Sequence, residues 1–170
     1  MKKIYALSVA VALCAVGIAN ADQFHSYGNQ ANIIQQGVKS LGLSGSYFTN
    51  NGSHQTNLNV ALSQFVKSDI EVRGGLNYLD LNGSTTTTFV LGARYYFQPS
   101  QDKQSLPFLG AFVGFNTGSG NNNRQIGLEL GEQYFLQPNV SLTPAAVYSS
   151  TSGGGGTTFG LQVGITYWFK

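Results

Sequence analysis

Charge is what this chain has least of. Asp, Glu, Lys and Arg make up 9% of its 170 residues, against about 25% in an average soluble domain. The nine Lys and Arg are spread thinly and form no basic patch, which argues against a nucleic-acid partner. Cysteine occurs once, at Cys14, and histidine twice, at His25 and His54. Without a Cys cluster or a His pair at ligand spacing, no metal site is expected. Nucleophilic catalysis needs a nucleophile, a base and an acid held together. His54 stands beside Ser53 with no acid near it in sequence, so no catalytic residues and no enzyme are expected. The Gly run at 153–156 is followed by no Lys and no helical pattern. It therefore reads as a loop rather than a phosphate cradle, and no cofactor is expected. Scarcity of charge does not mean disorder here, because 42% of the chain is apolar and disorder goes with low apolar content and high net charge.

What is abundant is Gly (22), Tyr (9) and Phe (11). The first 21 residues stand apart. Lys2 and Lys3 precede an apolar run from Ile4 to Ile18, and Ala19-Asn20-Ala21 forms a small-x-small cleavage site before Asp22. This is the pattern of a cleavable export signal, and the run is short against the roughly 20 residues of a membrane-spanning helix. Bulky Leu13 before Cys14 argues against lipid attachment there. The remainder carries seven basic residues and seven acidic ones, so its formal charge is zero. Losing Cys14, it must be stabilised without disulfides. The expected organisation is a signal peptide over 1–21, a periplasmic N-terminal segment over 22–37, and one β domain over 38–170.

Past residue 40 no stretch has helical periodicity, and alternation with period two recurs, the mark of strands with two unlike faces. The last segment is the clearest. Phe159, Leu161, Val163, Ile165, Tyr167 and Phe169 occupy one face, and Thr158, Gly160, Gln162, Gly164, Thr166 and Trp168 the other. Seven earlier segments repeat the rule, starting near Leu41, Asn57, Ile70, Phe89, Leu109, Gln125 and Val140. Three residues break phase or pairing: Phe65 on a polar face, Glu132 on an apolar one, and Pro144 mid-strand without a backbone donor. Local slips are expected at all three, with a bulge near Pro144. Residues 50–55, 82–86, 117–123 and 149–156 read as polar loops. Residues 67–69 and 137–139 read as tight turns, and residues 98–107 as a connection of intermediate length.

Eight strands enclose a space just wide enough for side chains to fill. Eight inward faces of Leu, Val, Phe and Tyr would overfill it, whereas the opposite faces are rich in Gly, Ser, Asn and Gln. They also carry Glu71, Arg73, Arg94 and Glu129, two acids and two arginines that can neutralise one another in a confined interior. The apolar faces are therefore assigned outward. On those faces aromatic residues cluster at the strand ends, with aliphatic residues between them, as in a barrel facing lipid. In the hairpin formed by the segments starting near Ile70 and Phe89, the register that sets Glu71 against Arg94 is expected over the one that sets Arg73 against Arg94, since opposed like charges destabilise a strand pair. Arg73 should then reach toward Glu129.

The signal segment, the alternation, and the motifs Leu91-Gly92-Ala93-Arg94-Tyr95-Tyr96-Phe97, Phe108-Leu109-Gly110-Ala111-Phe112-Val113-Gly114-Phe115 and Gly164-Ile165-Thr166-Tyr167-Trp168-Phe169 together resemble the small eight-stranded outer-membrane β-barrel proteins, OmpA/OmpX-like. The resemblance covers about residues 38–169. It implies an all-β, eight-stranded antiparallel up-and-down transmembrane β-barrel in an outer membrane. Gln162, Gly164, Tyr167 and Phe169 match the terminal signal that the barrel-assembly machinery reads, although Lys170 follows where the family often ends on the aromatic. The expected partners are outer-membrane lipid, that machinery, and a surface ligand of unidentified nature, with the protein a monomer. Both barrel ends should face the periplasm, and loops centred on Gly52, Gly83, Gly120 and Gly154 should face outward. The lumen reads as a plugged polar network, and the role as structural or surface interaction through the loops. A narrow channel for ions or small solutes is the alternative.

Overall fold

The computed structural model describes residues 36–50, 53–97, 105–117, 123–153 and 156–170. The signal peptide and all but the last two residues of the segment at 22–37 lie outside the described residues. Eight antiparallel strands follow one another round a closed barrel. They are β1 (Lys39–Asn50), β2 (Ser53–Lys67), β3 (Ile70–Leu81), β4 (Ser84–Tyr96), β5 (Ser105–Thr117), β6 (Arg124–Gln137), β7 (Val140–Thr151) and β8 (Gly156–Phe169). Closure removes the exposed edges that an open sheet would leave. The first strand starts where the last one ends, with Lys39 opposite Phe169. We call that end the near mouth and the other the far mouth.

The register fixes the shape of the barrel. Partners of Lys39 lead round the wall through Gln64, Val72, Ala93, Ala111, Leu128 and Tyr148 to Phe159. The β8–β1 register, extended, returns this path to β1 about ten residues above its start. Eight strands with that stagger tilt by about 40°. At about 3.3 Å per residue along a strand, each residue then climbs about 2.5 Å along the barrel axis. Phe159 and Phe169 on β8 are therefore separated by about 25 Å of axial height, which is the thickness of an apolar barrel band. The exposed rings of Tyr78, Phe89, Phe115, Tyr148 and Phe159 mark the upper level, and those of Tyr95, Phe97, Tyr134, Tyr167 and Phe169 the lower. Between them Leu62, Leu76, Leu91, Leu109, Leu128, Leu130 and Leu161 are exposed. The outward assignment of the apolar faces matches this arrangement.

Three details differ from the sequence expectation. The strands run into the segments read as loops. Asn50 pairs with Ser53, and Leu81 with Ser84, so these two far-mouth connections are only two residues long. In the second of them Asn82 and Gly83 have φ of 53° and 88°, the left-handed pair that lets a turn match the twist of its strands. Register shifts occur between Phe65 and Lys67 and between Phe135 and Gln137. The first adjoins Phe65, as expected. Near Pro144 there is no bulge: Pro144 stays in register with Val163. On its other side the described β6–β7 pairs pass from Gly131 opposite Ala145 to Tyr134 opposite Leu142 without a shift. Pro144 follows the outward phase of β7, so its missing donor interrupts the ladder without displacing it. Glu132 also keeps register, opposite Pro107. It faces outward near the lower aromatic level and accepts a hydrogen bond from the Tyr134 hydroxyl.

Candidate functional site

The interior of the barrel has three storeys, and the middle one holds the charges. Glu71 on β3 lies opposite Arg94 on β4, Arg94 opposite Gly110 on β5, and Gly110 opposite Glu129 on β6. One row across four strands thus carries acid, base, glycine, acid. Glycine on β5 is what lets the row close. A Cβ at position 110 would sit 2.5 Å from Glu129 Cγ, so the absence of a side chain leaves the space in which Arg94 and Glu129 meet. They meet in a forked pair: Arg94 Nε donates to Glu129 Oε1 at 2.8 Å and its Nη2 to Oε2 at 3.0 Å. Such two-pronged geometry is the strong form of this contact. Arg73, one inward position higher on β3, donates through Nη1 to both oxygens of Glu129 at 2.9 and 3.1 Å. Glu71 lies 3.8 Å from Arg94 Nη1 and accepts hydrogen bonds from Ser63 and from the Tyr96 hydroxyl. The structure therefore brings all four sequence-singled lumen residues into one cluster. Glu71 and Glu129 are only 2% and 3% exposed, and an unpaired charge at that depth would be costly.

Below the charges, toward the near mouth, lies an apolar plug that the sequence reading missed. Val38, Phe65, Tyr96, Leu106, Phe108, Phe135, Ala145 and Trp168 form one buried cluster. Phe65 packs between Tyr96 and Trp168, with ring centroids at 5.3 and 5.5 Å. The guanidinium of Arg94 lies 4.2 Å from the centre of the Phe108 ring, so plug and charge cluster are in contact. A polar chain also links them. The Tyr96 hydroxyl is 2.8 Å from Gln133 Oε1, Gln133 Nε2 donates to Ser141, and Trp168 Nε1 donates to the same Ser141 hydroxyl. The available signal was the off-phase Phe65 together with Phe108, Phe135 and Trp168. All four sit on inward phases near one mouth.

Above the charges, toward the far mouth, the inward positions are mostly Gly, Ser, Thr, Asn and Gln, with Val90 buried among them and Phe112 lying over Gly92 and Gly127. Thr88 donates to Asn116, and Gln125 to Ser149. The amide oxygens of Asn57 and Asn77 are buried without a protein partner. A cavity of about 30 Å³ opens beside the charge cluster. Its walls include Ser40, Ser44, Asn59, Gln162 and Thr166, with Glu71, Arg73 and Arg94 at its base. Of the four residues read as an assembly signal, Gln162 and Gly164 line this cavity, while Tyr167 and Phe169 face outward and stack on each other at 6.2 Å. Among the described residues, no group of three or more His, Cys, Asp or Glu side chains could hold a metal ion.

An outward apolar band, two aromatic levels and a charge-neutral interior define the architecture of a small transmembrane β-barrel. Solved structures bear this out at the level of fold. The N-terminal β-barrel domain of OprF from Pseudomonas aeruginosa superposes with a TM-score of 0.61 at 15% identity, covering 79% of this chain and 98% of that one. Neisserial surface protein A gives 0.59 at 16% identity, with coverages of 78% and 96%. A transmembrane β-barrel designed de novo gives 0.61 at 16% identity, with coverages of 79% and 98%. No protein-family model and no curated protein matches the sequence.

Proposed function

We infer that the protein is an integral outer-membrane β-barrel with a closed lumen and a structural or surface-interaction role. The observation that carries this reading is the pairing of opposites across one wall. The outside is aliphatic between two aromatic levels, and the inside holds a neutralised set of four charges. The export pattern at 1–21 supplies the route, the ending at Gln162, Gly164, Tyr167 and Phe169 the contact with the barrel-assembly machinery, and lipid the surrounding partner. The near mouth, where the first strand begins and the last one ends, then faces the periplasm. Any surface contact falls to the Ser-, Thr- and Asn-rich hairpin tips, since two of the four far-mouth connections are only two residues long. No catalysis is assigned to it. The plug and the charge cluster favour a closed lumen over the alternative of a narrow channel. Membrane fractionation with gel mobility before and after boiling tests the reading. Expected are recovery with the outer membrane and a heat-dependent mobility shift. A soluble periplasmic protein without such a shift overturns it.

A further inference from the structure

The wall of the barrel is not equally closed all round. Across the β1–β8 seam the pairs run from Lys39 opposite Phe169 up to Gly45 opposite Val163 and stop there. Above that point the upper part of β1 still pairs with β2, from Ser46 opposite Asn57 to Asn50 opposite Ser53. The upper part of β8 still pairs with β7, from Gln162 opposite Ala145 to Gly156 opposite Thr151. The two hairpins thus stand side by side without a ladder between them. The burial of β8 agrees. Residues 156–159 are exposed in succession, on both phases, and a Cβ on Gly160 would meet nothing within 4 Å. Phe159 and Leu161 are 71% and 68% exposed, the highest values among the large apolar side chains of the described residues. Phe159 belongs to the upper aromatic level, so the seam is open where the apolar band ends. Below Phe159 the unpaired edge at Leu161 and Gln162 still lies within that band, where lipid offers its backbone no partner.

The 30 Å³ cavity begins just below the open stretch: Gly42, Leu43 and Ser44 of β1 and Gly164 of β8 line it from the paired part of the seam, and Gln162 lines it from one step above the last pair. We propose that the seam is a lateral entry through which a single-chain amphiphile with a small uncharged hydroxyl head, such as a long-chain alcohol, places its head in the lumen and leaves its chain in the membrane. Three observations choose this ligand class. Hydroxyls and amides of Ser40, Ser44, Asn59, Gln162 and Thr166 offer both donors and acceptors to the head. The charges at the base are already paired, Glu129 with Arg73 and Arg94, and Glu71 with Ser63 and Tyr96. A charged head would therefore find no free counter-charge. The volume equals two or three water-sized positions, enough for a hydroxymethyl group and too small for a phospholipid head. Outside the seam, Leu43, Leu161 and Val163 provide the apolar flank for the chain.

This inference rests on the barrel spanning a membrane, so every protein used in its test is first checked for the heat-dependent mobility shift. A failure of the membrane reading appears at that step. The probe is a long-chain alcohol carrying a photoreactive diazirine at its second carbon, presented in phosphatidylcholine vesicles beside the corresponding fatty acid and alkylammonium. Saturable labelling by the alcohol is expected at Ser44 and Gln162, about tenfold above that by either charged analogue. In Phe48→Cys/Gly160→Cys, which leaves every residue of the proposed head site in place, oxidation joins the two edges three steps above the last pair and should abolish the labelling, and reduction should restore it. Gly42→Val is the second arm. The added Cβ meets only ordinary contacts, Thr166 Oγ1 at 3.6 Å being the nearest, while the branches fill the cavity. A folded Gly42→Val barrel should lose the alcohol labelling without any thiol chemistry. Labelling spread evenly over the lipid face, labelling that survives Gly42→Val or oxidation, or preference for a charged head overturns the proposal. Disulfides formed between barrels rather than within one also overturn it, by showing that a second copy of the chain occupies the seam.

Discussion

Glu129 is the residue on which the interior converges, since both arginines bond to its carboxylate. Removing one partner of a buried pair leaves the other uncompensated, and that loss is the costly one. Arg94→Ala should therefore destabilise the barrel by about 3–5 kcal/mol, measured by urea unfolding in lipid vesicles. An increase in stability would mean that Arg94 faces lipid, where Arg costs about 2–4 kcal/mol at the midplane. Arg73→Ala should cost less, because Glu129 keeps its forked bond to Arg94. Gly110 is the uncharged member of the same row. Gly110→Ala drives a methyl into Glu129 Cγ at 2.5 Å, and Glu129 cannot retreat while two guanidinium groups hold it. A loss of about 1–3 kcal/mol is expected, and Arg94→Ala should soften it by freeing the carboxylate, which a double-mutant cycle reads directly.

At the scale of strands, the sequence made the elements legible because lipid and lumen demand opposite side chains. Strict alternation follows, and eight segments could be located from it. The Glu71–Arg94 register was also accessible, because only one of two plausible pairings avoids facing arginines. Turn lengths were not. Asn82, Gly83 and the Thr run after them carry loop-like composition, yet backbone pairing continues up to Ser84, because polar residues pair as well as any once the strand emerges into water. Pro144 misled for a related reason. A missing donor signals a bulge only where the register must yield, and here the wall tolerates one gap in the ladder. The terminal strand permits a test at this scale. Phe169→Ser removes the lower outward aromatic of β8 and its stack on Tyr167. Membrane-assembled protein should fall severalfold, by quantitative blotting of the heat-modifiable band, with little effect on export. Unchanged assembly would detach the ending from that role.

For the whole molecule, the plug was the least legible part of the interior. It gathers Phe65 of β2, Tyr96 of β4, Phe108 of β5, Phe135 of β6 and Trp168 of β8, and no single strand reveals it. Only knowing which ends share a mouth turns scattered exceptions to the alternation into one cluster. The prediction at this scale is electrical. Wild-type protein in planar bilayers should be silent, whereas Phe65→Ala/Trp168→Ala should conduct, since it empties the near mouth while leaving the charge cluster in place. Wild-type steps equal to those of the variant would favour the channel reading. Topology gives a second check. A cysteine at Gly120 should react with an impermeant thiol reagent on intact cells, and one at Asp102 should not. The reverse pattern would invert the barrel.

The charge row ties together only one side of the cylinder. Its members stand on β3, β4 and β6, so a single carboxylate fastens strands that are not neighbours, like a guy-rope passing over β5. The opposite arc, β7–β8–β1–β2, holds none of the ion pairs described above. There Ser40 meets Ser63, Thr143 lies 3.5 Å from Thr166, Trp168 donates to Ser141 and stacks on Phe65 near the lower mouth, and above that level the ladder between β8 and β1 stops partway up. A cylinder stiffened on one side and slit on the other does not breathe evenly. Under thermal or mechanical load it should open like a cuff along β8–β1, with the β3–β6 staves moving as one rigid plate. The last part of the wall to exchange its amide protons would then be the row through Glu71, Arg94, Gly110 and Glu129.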